Sequence, residues 1–227
     1  MRETIWTLNP SDFAFLWEEC KRCFWLKVTR DFRRPQIPMA KIFTVIDEEM
    51  RKHFAGRRTG DVLPALPSGV LDTQEHWVES VPLPIPGYPA RCVIRGRLDC
   101  LVRFDDGSAA VIDFKTSERK AAHIPLYGRQ LHSYAVAIEN ASPNKLSLRP
   151  VTRLGLVVFD PDRFEKDAAG RAQLFGGLTW IEIQKNDASF LAFLKDVLNV
   201  LQQSSPPAPG PSCAFCQYRQ ASRARGF

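Results

Sequence analysis

The sequence predicts an α/β (α+β) fold, a mixed central β-sheet flanked by helices. Three observations carry that expectation. Apolar periodicity switches along the chain: two helices, a meander of about three strands, a helix, two strands and a last helix. Asp105-Asp106-Gly107 sits between two apolar runs, a strong hairpin signal. The size suits one layered domain. A chain of 227 residues, 44% hydrophobic and 25% charged, is ordinary globular material. At this length folding buries roughly 70–75% of the extended surface, so no disulfides are needed. Wholesale disorder and collagen- or mucin-like structure are excluded.

Asn9-Pro10-Ser11-Asp12 reads as a helix start, with Asn9 or Ser11 as cap and Phe13, Leu16, Trp17 and Phe24 at helical spacing. That helix ends near Arg34-Pro35. A second is expected from about Met39 to Phe54, with Ile42, Phe43, Ile46 and Met50 on one face. Residues 60–89 are rich in Pro and Gly and hold one strand candidate, His76–Val81. Strands Arg91–Phe104 and Ser108–Lys115 flank the hairpin turn. A helix from Pro125 to about Glu139, strands Arg153–Asp160 and Leu178–Gln184, and a helix over Asp187–Gln202 follow. Ser204–Ser212 is a Pro-rich linker that can be neither helix nor central strand, and it delivers the closing segment Cys213–Phe227.

The net charge is +6 and the isoelectric point near 9.1, a balance that favours a polyanionic partner such as nucleic acid. The basic residues gather in two places: Lys21, Arg22, Lys27, Arg30, Arg33 and Arg34 early, and Arg219, Arg223 and Arg225 in the tail. No apolar run approaches the ~20 residues of a membrane span. Met1–Pro10 has no apolar stretch before a small-residue cleavage site. The expectation is a cytoplasmic protein with no membrane association.

The hairpin carries the chemistry. If Asp105-Asp106-Gly107 is a three-residue loop with Gly107 left-handed, Phe104 pairs with Ser108 and Asp99 stands opposite Asp113. The strand period of two puts Lys115 on the same face. A two-residue loop at Asp106-Gly107 would set Phe114 opposite Asp99 instead and part the carboxylates. Two facing carboxylates in apolar strands cost folding energy unless something positive compensates them. Mg²⁺ or Mn²⁺, a hard cation bound by a few carboxylates, waters and phosphate oxygens, suits that position. Lys115 would position the attacking water or stabilise charge developing on a phosphate. The same three residues would also serve as a simple ion pair within a sheet.

Gly96-Arg97-Leu98-Asp99, then Val111-Ile112-Asp113-Phe114-Lys115-Thr116, then Gln130-Leu131-His132-Ser133-Tyr134 resemble successive motifs of the PD-(D/E)XK nuclease superfamily, in its RecB-type branch with the CRISPR-adaptation exonucleases. The resemblance runs from the first helix to the last cysteines and implies a restriction-endonuclease-like sheet. It implies that Asp99 and Asp113 bind the divalent metal with the Phe114 carbonyl, that Lys115 is the catalytic lysine, and that Gln130 and Tyr134 orient substrate or Lys115. Helical i,i+4 spacing does place those last two on one face. The family's metal-binding His on an early helix falls here on Asp47, with Phe43 at the preceding Gly position. Asp47 is then a third carboxylate ligand, suited to a hard ion; Glu48 is a substitute, and His53 lies about two turns later.

Four of the six cysteines form two C-x₂-C pairs, Cys20/Cys23 and Cys213/Cys216, a four-thiolate site for zinc or an iron–sulfur cluster. Cys92 and Cys100 read as small core residues. The resemblance implies a [4Fe-4S] cluster, with zinc as the alternative. It matches Cys20, Cys213 and Cys216 to family ligands, and Cys23 replaces a last cysteine expected near Ser222. The metal would clip the chain's ends together. The expected organisation is one domain over residues 1–227, with 1–38 and 204–227 forming a cysteine-cluster cap on a nuclease core at 39–203. The expected activity is a Mg²⁺- or Mn²⁺-dependent deoxyribonuclease acting on single strands or duplex ends, with a protein partner in a repair or CRISPR-type complex. The alternative is a weakened nucleic-acid- or partner-binding module of the same fold.

Overall fold

The computed structural model describes residues 4–35, 38, 40–116 and 124–226. A strand that the sequence does not announce, β1 (Ile5–Leu8), opens the described chain. Four residues are too short a run to display a period. The N-terminal helix predicted as one piece is three: α1 (Pro10–Ala14), α2 (Leu16–Glu19) and α3 (Lys21–Arg30). Asn9 is the cap of the first, accepting the Ser11 amide at 3.1 Å while Pro10 opens the helix. The break before α3 falls at Cys20, whose backbone is extended at φ −162° and ψ 100°. α3 stops at Asp31, in left-handed backbone at φ 48°.

The second predicted helix is α4 (Lys41–Phe54); its expected start, Met39, lies outside the described residues. Only the later half of the predicted apolar face is covered: Ile46 and Met50 are half-buried, Met50 against the cluster around Phe54. Ile42 and Phe43 are exposed, and the helix is anchored at its far end by Phe54, fully buried with its ring 5.2 Å from that of Phe114. The Pro- and Gly-rich connection is more structured than expected. It contains α5 (Thr59–Val62), β2 (Gly69–Asp72), β3 (His76–Glu79) and β4 (Leu83–Pro84).

The long strand predicted over Arg91–Phe104 is interrupted at Asp99 and shared between two sheets. Its first half, β5 (Arg91–Leu98), pairs in parallel with β1 and antiparallel with β3 and β4. Its second half, β6 (Cys100–Phe104), belongs to a five-stranded sheet ordered β2-β6-β7-β8-β9, with β7 (Ala109–Thr116), β8 (Val151–Lys166) and β9 (Ala172–Ile183). The β6–β7 register pairs Cys100 with Ile112 and Val102 with Ala110, as the three-residue loop requires. Gly107 is left-handed at φ 85°, and the Phe104 amide donates to the Ser108 carbonyl at 2.9 Å.

β8 and β9 run longer than predicted because they continue past the end of β7. The β7 pairing closes at Thr116 with Phe159, and beyond it β8 pairs with β9 alone. Pro161 is tolerated there, at a register shift, since its missing N–H falls on an open edge.

Alternation along β7 divides the core. Val111 faces the cluster built with Leu131, Ala135 and Ile138 of α6 (Ile124–Glu139) and Phe193, Val197 and Leu198 of α7 (Asp187–Leu201). Ala110, Ile112 and Phe114 face the opposite cluster with Phe54, Leu71, Val102 and Val157. Asp113 and Lys115 have the parity of Val111 and so continue the α6 face. The Pro-rich linker returns the chain to its beginning: an added Cβ at Gly210 would lie 2.1 Å from the Glu19 carbonyl oxygen, so only glycine permits this approach. α8 (Ala214–Ala224) closes the described chain. Among the described residues, no helix is long and apolar enough to cross a membrane.

Candidate active site and four-cysteine centre

Three elements bring charged groups to the junction of the two sheets. The chain break supplies Asp99, β7 supplies Asp113 and Lys115, and α4 supplies Asp47, two turns before its Phe54 anchor. Asp99 and Asp113 act on each other as like charges. The Asp99 carboxyl is pushed up to about 6, first by burial and then by the Asp113 charge, against the opposing pull of Arg51 and Arg97. Asp47 is raised as well, by burial and by Asp113, although Arg51 opposes the shift. Lys115 is half-buried, and burial pulls its pKa down. Its ion pair with Asp113 outweighs that and holds it as an ammonium, above the ordinary lysine value. Its Nζ also stands 4.9 Å from the centre of the Tyr127 ring on α6.

Two oxygens in this cluster are left over. Among the described residues, Asp99 Oδ1 and Asp113 Oδ2 are buried and accept no hydrogen bond of regular geometry. Asp113 Oδ2 touches only the Lys115 ammonium as an ion pair, and Asp99 Oδ1 is 3.9 Å from Arg97 Nε. A buried carboxylate oxygen without a donor, as at Asp99 Oδ1, is costly, and a divalent cation shared with Asp113 is a partner that answers it. These residues fit Mg²⁺ or Mn²⁺.

Tyr134 of α6 lies beside them, its hydroxyl donating to the Arg97 carbonyl at 2.6 Å. Its proton is held firmly by burial and by the Asp99 and Asp113 charges, while Gln130, one turn earlier, bears on the same hydroxyl. The predicted pair therefore stands together at the carboxylates. Glu48 is exposed and takes no part, and His53 is exposed against the edge of Phe54.

Sequence reasoning missed Arg51, Arg97 and Glu75. Arg51 reaches Asp47 at 3.1 Å and Glu75 at 3.1 Å, and Arg97 reaches Glu75 at 3.3 Å. Only the i,i+4 spacing of Asp47 and Arg51 on one helix was a usable signal.

The four cysteines form a second centre, buried between the beginning and end of the chain. Cys20 Sγ lies 3.7 Å from Cys216 Sγ, and Cys23 Sγ lies 3.8 Å from Cys213 Sγ and 3.6 Å from Cys216 Sγ. All four sulfurs are within 4.8 Å of one another, a group able to hold a metal ion. The two pairs repeat one local structure: Cys20 is the N-cap of α3 and Cys213 that of α8, each with its second cysteine one turn inside. Arg34 donates to Cys213 Sγ at 3.1 Å and to Glu19 at 2.7 Å, and the Gly210 amide donates to Cys20 Sγ at 3.3 Å. Burial opposes ionisation of Cys20, yet the Gly210 and Cys23 amides bring its thiol down to about 7. Cys92 and Cys100 are fully buried core residues, as expected.

The basic stretch is only partly available to a ligand. Lys27 pairs with Asp12 at 2.6 Å, Arg34 serves the cysteines, and Arg22 donates to the Pro207 carbonyl at 3.1 Å. Trp17 and Trp25 are core residues, while Phe32 is half-exposed beneath the Arg219 guanidinium, 4.8 Å from its ring centre.

The family model of the PD-(D/E)XK nuclease superfamily matches residues 18–221. The chain belongs to that superfamily. Among solved structures it is similar to one titled "Crystal structure of SSO0001", with a TM-score of 0.49 and 19% identity, covering 96% of this chain and 86% of that one. No curated protein matches it.

Proposed function

We propose that the chain is a Mg²⁺- or Mn²⁺-dependent deoxyribonuclease whose site is the Asp99/Asp113/Lys115 cluster. The observation that carries this reading is the convergence of Asp99 and Asp113 on the Lys115 ammonium, with Asp99 Oδ1 buried and without a hydrogen-bond donor. Asp99, Asp113 and the Phe114 carbonyl would hold the cation, with Asp47 as a third carboxylate. When bound, the cation supplies charge stabilisation at the phosphate and lowers the pKa of water. Lys115, kept as an ammonium by Asp113, orients the attacking water and stabilises the oxyanion developing on phosphorus; in that state it takes up no proton. The Tyr127 ring and Asp113 fix where its Nζ points. Gln130 and Tyr134 position substrate at the same carboxylates. Lys21, Arg30, Arg219, Arg223 and Arg225, outside the ion pairs of the described residues, would follow a phosphate backbone, an attraction that weakens steeply with salt.

The motif order supports a RecB-type nuclease of the cytoplasm, acting on single strands or duplex ends with a partner protein in a repair or CRISPR-type complex. One observation favours the second reading, a nucleic-acid-holding module with a weakened metal site: Asp47 is already paired with Arg51.

Digestion of end-labelled single- and double-stranded DNA with Mn²⁺, Mg²⁺ or EDTA separates the two. The nuclease reading requires metal-dependent cleavage that falls on the order of a hundredfold or more in Lys115→Ala. DNA retention with no cleavage by the folded wild type establishes the module instead.

A further inference from the structure

We propose that the four-cysteine centre is a mononuclear, tetrahedral zinc site and not the [4Fe-4S] cluster that the family resemblance implies. The geometry is the argument. Zinc–thiolate bonds of about 2.3 Å place the sulfurs of a regular tetrahedron about 3.8 Å apart. Three of the sulfur–sulfur separations here are 3.6, 3.7 and 3.8 Å, and every one is below 4.8 Å. Sulfurs so spaced surround the volume of a single ion. A [4Fe-4S] cluster needs more room, because each thiolate binds a different iron at a corner of a body that also contains the sulfides.

The local structure agrees. Each C-x₂-C pair sits at a helix N-terminus with its first cysteine as the cap, so the two halves of the cage are copies of one knuckle related across the chain's ends. The resemblance matches Cys20, Cys213 and Cys216 to cluster ligands and expects a fourth near Ser222. The structure instead brings in Cys23, and so completes the cage with two short-spaced pairs, the arrangement typical of structural zinc. A tetrathiolate zinc centre carries two negative charges, and the Arg34 guanidinium on Cys213 with the Gly210 amide on Cys20 supplies donors to it. Zinc here is structural, with four protein ligands and no open position for substrate.

The test is the metal content of the full chain, purified anaerobically from cells supplied with both iron and zinc. The expected result is a colourless protein with one zinc per chain and no acid-labile sulfide. Exchange with Co²⁺ should give the intense absorption of tetrahedral cobalt thiolate, displaced by added Zn²⁺ and missing in Cys23→Ser. A brown protein with about four irons and four sulfides per chain would overturn the proposal. So would failure of Co²⁺ to produce the tetrahedral spectrum in a preparation that carries neither metal. The wild-type measurement decides alone, should Cys23→Ser not fold. Because no DNA is involved, an inactive protein that contains zinc leaves this inference standing and counts only against the nuclease reading.

Discussion

Lys115 and the two carboxylates it serves make opposite demands on the fold. Asp113 keeps the lysine charged in a half-buried position, while Asp99 is held against its own ionisation by burial and by Asp113. A site of this kind stores unfavourable charge until a cation arrives. Asp99→Asn should therefore raise the melting temperature of the metal-free protein at neutral pH while abolishing cleavage; melting in EDTA beside an activity assay checks both. The sign follows from the shift. A carboxyl with a raised native pKa destabilises the fold increasingly as pH rises above its ordinary value of 3.8, the cost being complete above about 6, and removing its charge relieves that cost. Lys115→Ala should lower the cleavage rate on the order of a hundredfold or more, the usual scale for removing a group that stabilises transition-state charge. Of the site residues, Asp99, Asp113 and Lys115 were legible because a single glycine, Gly107, fixes the hairpin register that aligns them. Glu75 was not, since it meets Arg51 and Arg97 only through the three-dimensional path of the chain.

At the scale of elements, α4 depends on one anchor. Phe54→Ala should cost about 3–5 kcal/mol, the range for emptying a buried aromatic site, and should loosen the helix that carries Asp47. Denaturant titration gives the first effect and hydrogen exchange along residues 41–54 the second. The joint between α6 and α7 has a pH dependence of its own. His132 stacks on Phe190 with ring centres 4.5 Å apart, and its Nε2 lies 2.8 Å from Asp187. Burial depresses its pKa more than Asp187 raises it. Its contribution to stability is therefore complete above the ordinary histidine value of about 6.5 and is lost as pH falls below it toward the depressed native value. Urea midpoints at about pH 7.5 and about pH 5.5 should show a drop that is smaller in His132→Gln. The elements that the sequence hid share a physical reason. The interruption at Asp99 is masked by apolar Leu98 and Cys100 on either side, and β1 is shorter than the window that reveals a period. The hydrophobic residues of α4 suggested a buried face, whereas the helix packs mainly through its last turn.

The whole molecule is closed by the cysteines. Cys23 and Cys213 are 190 positions apart, and a cross-link of that span is worth about 5 kcal/mol on the disulfide scale. Stripping the metal should lower the melting temperature on the order of 10 °C in a protein of this size. Gly210→Ala should reproduce part of that loss with the thiols intact, because the linker can no longer lie against Glu19 and Cys20; scanning calorimetry of both samples is the check. This closure also brings the α8 arginine Arg219 onto Phe32, joining the two basic segments that are far apart in sequence.

The central claim is that Asp99 and Asp113 hold the cation that hydrolyses DNA. Mn²⁺ titration followed by electron paramagnetic resonance, on samples of wild type and Asp113→Asn that are then assayed on end-labelled DNA, tests it most directly. The account predicts bound Mn²⁺ with cleavage in the wild type, and both lost together in the variant. Equal Mn²⁺ binding and equal cleavage by Asp113→Asn, or a folded wild type that binds Mn²⁺ and leaves every DNA substrate intact, would contradict it.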